Sequence, residues 1–267
     1  MQNPHDISAE ILARLSNFAV GLVKTEPGKG SSVLGSGTFA CIEDRRGILT
    51  CGHVAALYER LPQIGWIRFV DGQLQRRMLR LGDTETIIIQ SSDLFEEAKE
   101  VLDLAFTMLP PDVASSVEAN AVFLNLDKNR TKMEAHASTK LHFIDAMLGL
   151  VDEFSEAPFA AGREIISPMR GVLHSGHIVA QENGLLTFKA MDYNLHELPK
   201  SFGGMSGGSV WRIYVEEDDK GSRIVEAMLA GVASWQIDAT TLACQGWDRI
   251  DQALIVKVRE NLKFGSG

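Results

Sequence analysis

The sequence predicts an all-β protein with a helix at each end, and three observations lead there. Short runs rich in β-branched and aromatic residues follow one another along most of the chain. Gly, Asp, Asn and Pro separate these runs at near-regular intervals, and apolar residues fall into a helical period only at the two ends. Many short strands at such spacing point to barrels or sandwiches.

At the N-terminal end, "DISAEILARLSN" offers Asp6 and Ser8 as caps and sets Ile11, Leu12 and Leu15 at helical spacing. The period then changes. "FAVGLVKTE", "GSGTFACIE", "RGILTCGHV", "IGWIRFV", "RRMLRLG" and "ETIIIQ" read as about six strands before residue 90. "SSDLFEEAKEVLDLAFTMLP" combines a helical or loop insertion with an apolar strand closed by Pro110 and Pro111. The second half repeats the style in "NAVFLNL", "KLHFIDAML", "REIISP", "GHIVAQEN", "GLLTFKA", "GSVWRIYVE" and "IVEAMLAGVASW". "EEDDKGS", residues 216–222, is a solvated hairpin tip. "DRIDQALIVKVRENLKF" closes the chain with Ile250, Leu254, Val258 and Leu262 on one helical face.

Composition narrows the class. A chain of 267 residues can bury a substantial core, as one large domain or two small ones. Apolar content of 45% and charged content of 23% are those of a soluble globular protein. The formal charge of −9 argues against a nucleic-acid partner, because phosphate binding runs on clustered Lys and Arg. The first twenty residues carry acids early and lack an uninterrupted apolar stretch, unlike a secretory signal, and no run approaches the length of a membrane span. The expected location is cytoplasmic, with no membrane partner.

The three cysteines agree with that compartment. The simplest hairpin around "IEDRRGILT", with Arg45 and Arg46 at its tip, sets Cys41 opposite Thr50 and Cys51 opposite Ala40. The two sulfurs then lie on opposite sides of the ribbon, and a disulfide would need a bulge or another register. With Cys244 as an odd third, free thiols are expected. His174 and His177, in "HSGH", lack Cys or carboxylate neighbours and read as ordinary polar residues, so no metal site is assigned.

The densest chemical signal is "SFGGMSGGSV", residues 201–210, where four glycines frame Ser206. Glycine costs about 0.5–1 kcal/mol relative to alanine inside regular structure. The compensation is a turn that holds a reactive group among inward-pointing N–H donors. A serine hydroxyl needs a group to accept its proton, and histidine titrates near the working pH. Of seven histidines, His53 is best placed, because "ILTCGHVA" runs a strand out of the core and stops at it. Asp103, a lone carboxylate in the apolar "EVLDLAFTML", is the candidate to orient the imidazole, since a buried carboxylate needs a partner. Asp93 in "SSDLFEE" is the reserve.

"LTCGHVA", "LDLAFTML" and "GGMSGGSV" resemble the His, Asp and Ser boxes of the chymotrypsin/trypsin-like serine peptidases, in that family's chain order. Their spacings are 50 residues from His53 to Asp103 and 103 from Asp103 to Ser206. The resemblance implies two six-stranded antiparallel β-barrels with a catalytic cleft between them. On that plan residues 1–16 form a helical leader, 17–115 the first barrel, 116–248 the second and 249–267 a C-terminal helix. It implies Ser206 as nucleophile, His53 as general acid/base, Asp103 as orienting acid, and the N–H groups of Gly204 and Ser206 as oxyanion hole. "LAGVASW" is similar to the strand lining the family's specificity pocket, so Ser234, Trp235 and Gln236 would offer a substrate an extended edge. Lys200 falls at the pocket floor if the loop keeps the family's length, with His177 and His196 nearby in the same reading, and otherwise simply faces water, which is the preferred reading.

The chain also departs from the family. The aspartate that precedes the nucleophile there is Met205 here, and Val54 replaces the cysteine that commonly follows the histidine. Members activated by cleavage use that aspartate to bind a new amino terminus. Met205 implies apolar packing in its place and no proteolytic maturation. The expected activity is that of a cofactor-free serine endopeptidase, resembling intracellular bacterial members, with a protein or peptide substrate and a regulatory protein partner. The alternative is a catalytically silent peptide-binding module on the same fold.

Overall fold

A computed structural model describes residues 4–26, 30–68, 76–90, 101–136, 141–161, 164–167, 169–191, 198–218 and 221–264. The chain enters through α1 (Pro4–Leu15), which begins before Asp6 and Ser8, so neither caps it. Ile11 and Leu15 are buried, whereas Leu12, on the same expected stripe, is exposed.

The strands then run β1 (Ala19–Glu26), β2 (Gly30–Ile42) and β3 (Arg45–Thr50), followed by the short helix α2 (Gly52–Tyr58). Next come β4 (Gln63–Arg68), β5 (Arg76–Arg80), β6 (Glu85–Gln90) and β7 (Asp103–Met108). After α3 (Pro111–Glu118), the two-residue β8 (Leu124–Asn125) pairs in parallel with β2, so this sheet reaches past residue 115. The strand order is β5-β4-β1-β2-β3-β7-β6, with β5 and β6 as its ends. Among the described residues the sheet curls without closing, in contrast to the closed six-stranded barrel expected for the first half.

The β2–β3 hairpin pairs Cys41 with Arg46 and Ile42 with Arg45, so its tip is Glu43–Asp44 and not Arg45–Arg46. Glu43 takes a positive φ of 54°, and its N–H donates to Asp127 Oδ2 at 2.9 Å. A contact 84 residues away thus holds a turn that lacks glycine. Cys41, Cys51 and Cys244 are all free thiols.

The helix α4 (Leu126–His136) leads into the second sheet, and buried Asn129 ties it there: its side chain donates to Leu229 O at 3.1 Å and accepts from Leu229 N at 2.8 Å. That sheet comprises β9 (His142–Leu150), β12 (Gly171–Glu182), β13 (Leu185–Ala190), β14 (Ser209–Asp218), β15 (Gly221–Gln236) and β16 (Thr241–Gly246), and it closes into a six-stranded ring. A separate hairpin of β10 (Phe159–Ala161) and β11 (Glu164–Ile166) stands apart from it.

The C-terminal segment is α5 (Trp247–Arg249), a π-helical stretch over Ile250–Ile255, and α6 (Val256–Phe264). Ile250, Leu254 and Val258 are buried and Leu262 packs against the same core. A stripe spaced by four drifts about 40° per step on a 3.6-residue helix, and the wider π turn corrects that drift. Among the described residues no helix is long and apolar enough to cross a membrane.

Candidate active site

Each sheet delivers half of the site to the seam between them. β3 ends at Thr50, and His53 is the second residue of α2 rather than the end of a strand. Its main-chain N–H, one of the donors left unpaired at a helix start, donates to Asp103 Oδ1 at 2.8 Å. Its Nδ1 lies 2.7 Å from Asp103 Oδ2. An ionised carboxylate only accepts hydrogen bonds, so Nδ1 carries a proton toward Asp103. Asp103 opens β7 and its side chain is 6% exposed, whereas that of His53 is 40% exposed.

A third donor reaches the carboxylate from the other sheet, the hydroxyl of Ser234 to Asp103 Oδ2. Burial alone would raise the Asp103 carboxyl, but the hydrogen bonds and charge of His53, with the Ser234 hydroxyl, outweigh it and hold the group below its ordinary value.

Beneath His53, buried Cys51 donates its thiol to Ala233 O at 3.0 Å. Burial, together with the nearby Asp103 charge, pushes that thiol well above its ordinary range. Ligand atoms of Cys51, His53 and Asp103 lie within 4.8 Å of one another, and these are donor types that bind metals. Each is already committed, the thiol to a carbonyl and the imidazole Nδ1 to the carboxylate, so the trio fits a hydrogen-bond network better than an ion.

Ser206 sits on the turn that leads into β14. Gly204 and Gly207 on either side of it have φ of 86° and 85°, a region that favours glycine. A Cβ on Gly207 would lie 2.0 Å from Ser36 O and 2.1 Å from Thr50 Oγ1. The space freed there admits the first sheet, not the substrate. Ser206 O accepts from Ser36 N at 2.7 Å, and Gly207 N donates to Ala233 O at 2.8 Å, which knits the turn to both sheets.

The peptides flanking Gly204 are anchored too. Gly203 O accepts from Asp152 N at 2.8 Å. Because a trans peptide points its N–H opposite its carbonyl, this bond aims Gly204 N–H away from Asp152. Ser36 Oγ donates to Gly204 O at 2.7 Å and accepts from Leu150 N at 2.8 Å. Among the described residues, the N–H groups of Gly204 and Ser206 have no acceptor. Met205 is fully buried with Met147, Val151 and Phe202.

The Ser206 hydroxyl donates to Ser234 O at 2.9 Å. Ser234 thus joins both halves, its carbonyl to Ser206 and its hydroxyl to Asp103. The β15–β16 pairing shifts register between Ala233 and Trp235, and such bulges re-aim side chains. Trp235 and Gln236 follow, half-buried, at the end of β15. Lys200 is exposed to solvent. His177 is exposed on β12, and His174 is buried with its ring against Phe202, centroids 5.4 Å apart. Asp93 and His196 lie outside the described residues.

The structure therefore brings His53, Asp103, Ser206, Gly204, Ser234 and Gln236 to one seam and leaves Lys200 and His177 facing solvent. Sequence reasoning missed Ser36, whose only local signal is its place between Gly35 and Gly37, and it placed Ser234 only as a substrate edge. Two concavities, of about 400 and 390 Å³, lie elsewhere: one is lined by Arg45, Arg46 and Pro111, the other by Leu102, Asn183 and Arg249.

No protein-family model matches the chain, and no curated protein matches it. A solved structure reported for the coupled folding and binding of the intrinsically disordered Sesbania mosaic virus VPg protein resembles it with a TM-score of 0.47 and 15% identity, covering 89% of this chain and 90% of that one. A likeness of that size carries no argument about function.

Proposed function

We propose that the protein is a serine endopeptidase of the chymotrypsin/trypsin-like kind, its cleft lying between a barrel-like first half and the closed second ring. The observation that carries this reading is the hydrogen-bonded path from His53 through Asp103 and Ser234 to Ser206, assembled from both sheets. Ser206 Oγ turns from Ser234 O toward His53 Nε2, which takes its proton as Oγ bonds to the scissile carbonyl carbon. The resulting oxyanion is stabilised by the N–H groups of Gly204 and Ser206, each such donor contributing about 10²–10³ in rate. His53 returns the proton to the leaving amine as the C–N bond breaks, and water releases the acyl group by the reverse sequence. Asp103 stays ionised and holds the tautomer. The free thiols and acidic composition suit a cytoplasmic enzyme acting on protein substrates under a regulatory partner.

One observation favours a second reading, a silent peptide-binding module: the Ser206 hydroxyl is bonded to Ser234 O and not to His53. Catalytic hydrogen bonds are often unmade without substrate, so this does not displace the first. Labelling with a fluorophosphonate decides between them. Ser206 is the expected site of modification, with labelling lost in Ser206→Ala and strongly depressed in His53→Ala. Wild-type protein that stays unmodified would favour the module.

A further inference from the structure

The turn that carries Ser206 keeps two of its main-chain donors open and ties up the rest. Ser201 N donates to Glu153 Oε2 at 2.9 Å, Phe202 N to Gln236 Oε1 at 3.0 Å and Gly203 N to Ser201 Oγ at 3.2 Å. Met205 N donates to Phe202 O at 3.0 Å, Gly207 N to Ala233 O at 2.8 Å and Gly208 N to Met205 O at 2.7 Å. Among the described residues, only Gly204 and Ser206 of this run have N–H groups without an acceptor.

The bond from Met205 N to Phe202 O closes a β-turn with Gly203 and Gly204 at its centre. Gly204 has a φ of 86°, the value found at the third position of a type II turn. A type I turn between the same ends has its central peptide turned over by roughly half a rotation, which would present Gly203 O where Gly204 N–H now points. Glycine on both sides of that peptide leaves no side chain to oppose the change. The choice therefore falls to bonds made from outside the turn.

Three such bonds reach residues 201–203. Glu153 is exposed, so water can take the place of its bond to Ser201 N. Asp152 N donates to Gly203 O at 2.8 Å and fits only the form observed. Gln236 holds Phe202, the residue from which the turn springs. It is half-buried at the end of β15, and its amide is engaged at both ends, because Nε2 donates to Asp238 O at 2.9 Å. An amide oxygen accepts and an amide nitrogen donates, so these partners allow one orientation. Asp238 Oδ1 in turn accepts from Thr240 N at 2.8 Å. The Phe202 ring is buried against His174, so ring and N–H together fix the Phe202 main chain.

We propose that Gln236 is a positioning residue for the oxyanion hole: its amide oxygen pins Phe202 N so that Gly203 O stays on Asp152 N and Gly204 N–H faces the reacting carbonyl. This rests on the serine-peptidase reading and adds to it a side chain that acts through the turn and not on the substrate. Its test uses the full chain and reads two quantities, the rate constant of fluorophosphonate modification and the phosphorus NMR resonance of the adduct. Ser206 Oγ bonds to phosphorus, fluoride leaves, the hydroxyl proton passes to His53, and the phosphoryl oxygen lies in the hole.

Gln236→Met keeps the length of the side chain and removes the acceptor. It should slow modification about tenfold or more, part of the roughly 10²–10³ that a whole donor contributes, and move the adduct resonance toward that of the urea-unfolded adduct. Gln236→Glu keeps an acceptor for Phe202 N, and should stay within about threefold of wild type with the resonance in place. Gln236→Asn, one methylene short of Phe202 N, should behave as the methionine variant and serves if that variant fails to fold. A folded methionine or asparagine variant labelled within about threefold of wild type would overturn the inference. So would a glutamate variant as slow as the methionine one, or a slowed methionine variant whose resonance stays at the wild-type position, since the slowing would then come from general loosening and not from the hole. Wild type that no fluorophosphonate modifies overturns the peptidase reading instead, and the inference falls with it.

Discussion

Ser234→Ala removes one donor from a buried carboxylate and leaves untouched the carbonyl that receives the Ser206 hydroxyl. Asp103 Oδ2 then keeps His53 Nδ1 but loses Ser234 Oγ, at a side chain only 6% exposed where water is a poor replacement. Hydrogen bonds to charged groups contribute about 1.5–3 kcal/mol, so a loss of about 2 kcal/mol is expected at pH 7. The pH dependence carries a definite sign. Despite burial, which pushes upward, the Asp103 carboxyl lies below its ordinary 3.8 in the folded chain. Its contribution is thus complete above that unfolded value and is lost as pH falls through the folded one. Alanine at 234 raises the folded value toward 3.8, so the variant has less to lose on acidification and its deficit narrows. Urea unfolding followed by tryptophan fluorescence should show a gap of about 2 kcal/mol at pH 7 that shrinks toward about 1 kcal/mol as the pH falls through the folded carboxyl's value and the bond becomes one between neutral groups. A gap that does not narrow anywhere between pH 7 and the acid limit of folding would refute the charge-assisted bond.

Two further substitutions probe the turn around Ser206. Gly207→Ala combines a left-handed backbone, costing about 1–2 kcal/mol, with a Cβ 2.0 Å from Ser36 O. The expected loss exceeds about 4 kcal/mol, placing the variant among exceptional single substitutions, and a thermal melt coincident with wild type would contradict the close approach of the two sheets. Ser36→Ala leaves Leu150 N–H without its acceptor, at about 1–3 kcal/mol. It also releases Gly204 O, so fluorophosphonate labelling should slow by about tenfold or more as the hole loosens; an unchanged rate in the destabilised variant would separate Ser36 from the hole.

The catalytic candidates were legible because each carries a local contrast: a histidine just past an apolar strand, an acid inside one, a serine framed by glycines. Ser36 and Ser234 carry no such contrast. Their importance comes from partners 168 and 131 residues away, Gly204 and Asp103, which pattern reading along a chain does not reach. The hairpin tip was misplaced for the same reason, since Asp127 holds Glu43 in a conformation its own sequence does not favour. Helix α4 escaped notice because "LDKNRTKMEAH" is polar almost throughout, with Leu126 and Asn129 its only buried residues. The closed six-stranded ring expected of the second half is present, but the first half holds eight strands rather than six, and β10 and β16 went unread. Whether strands curl into a ring depends on which edges meet, and among the described residues the first sheet ends in β5 and β6.

Because Ser206 and Ser234 come from one sheet while His53, Asp103 and Ser36 come from the other, neither half of the chain holds a complete reactive set. Expressed as two separate pieces, the polypeptide would be chemically blank. Rejoining the pieces would restore the nucleophile's partners, the carboxylate's third donor and the brace on the turn in a single act of docking. The molecule has, in effect, the logic of a lock whose bolt and keeper are cut from different plates: reactivity reports whether the plates are aligned.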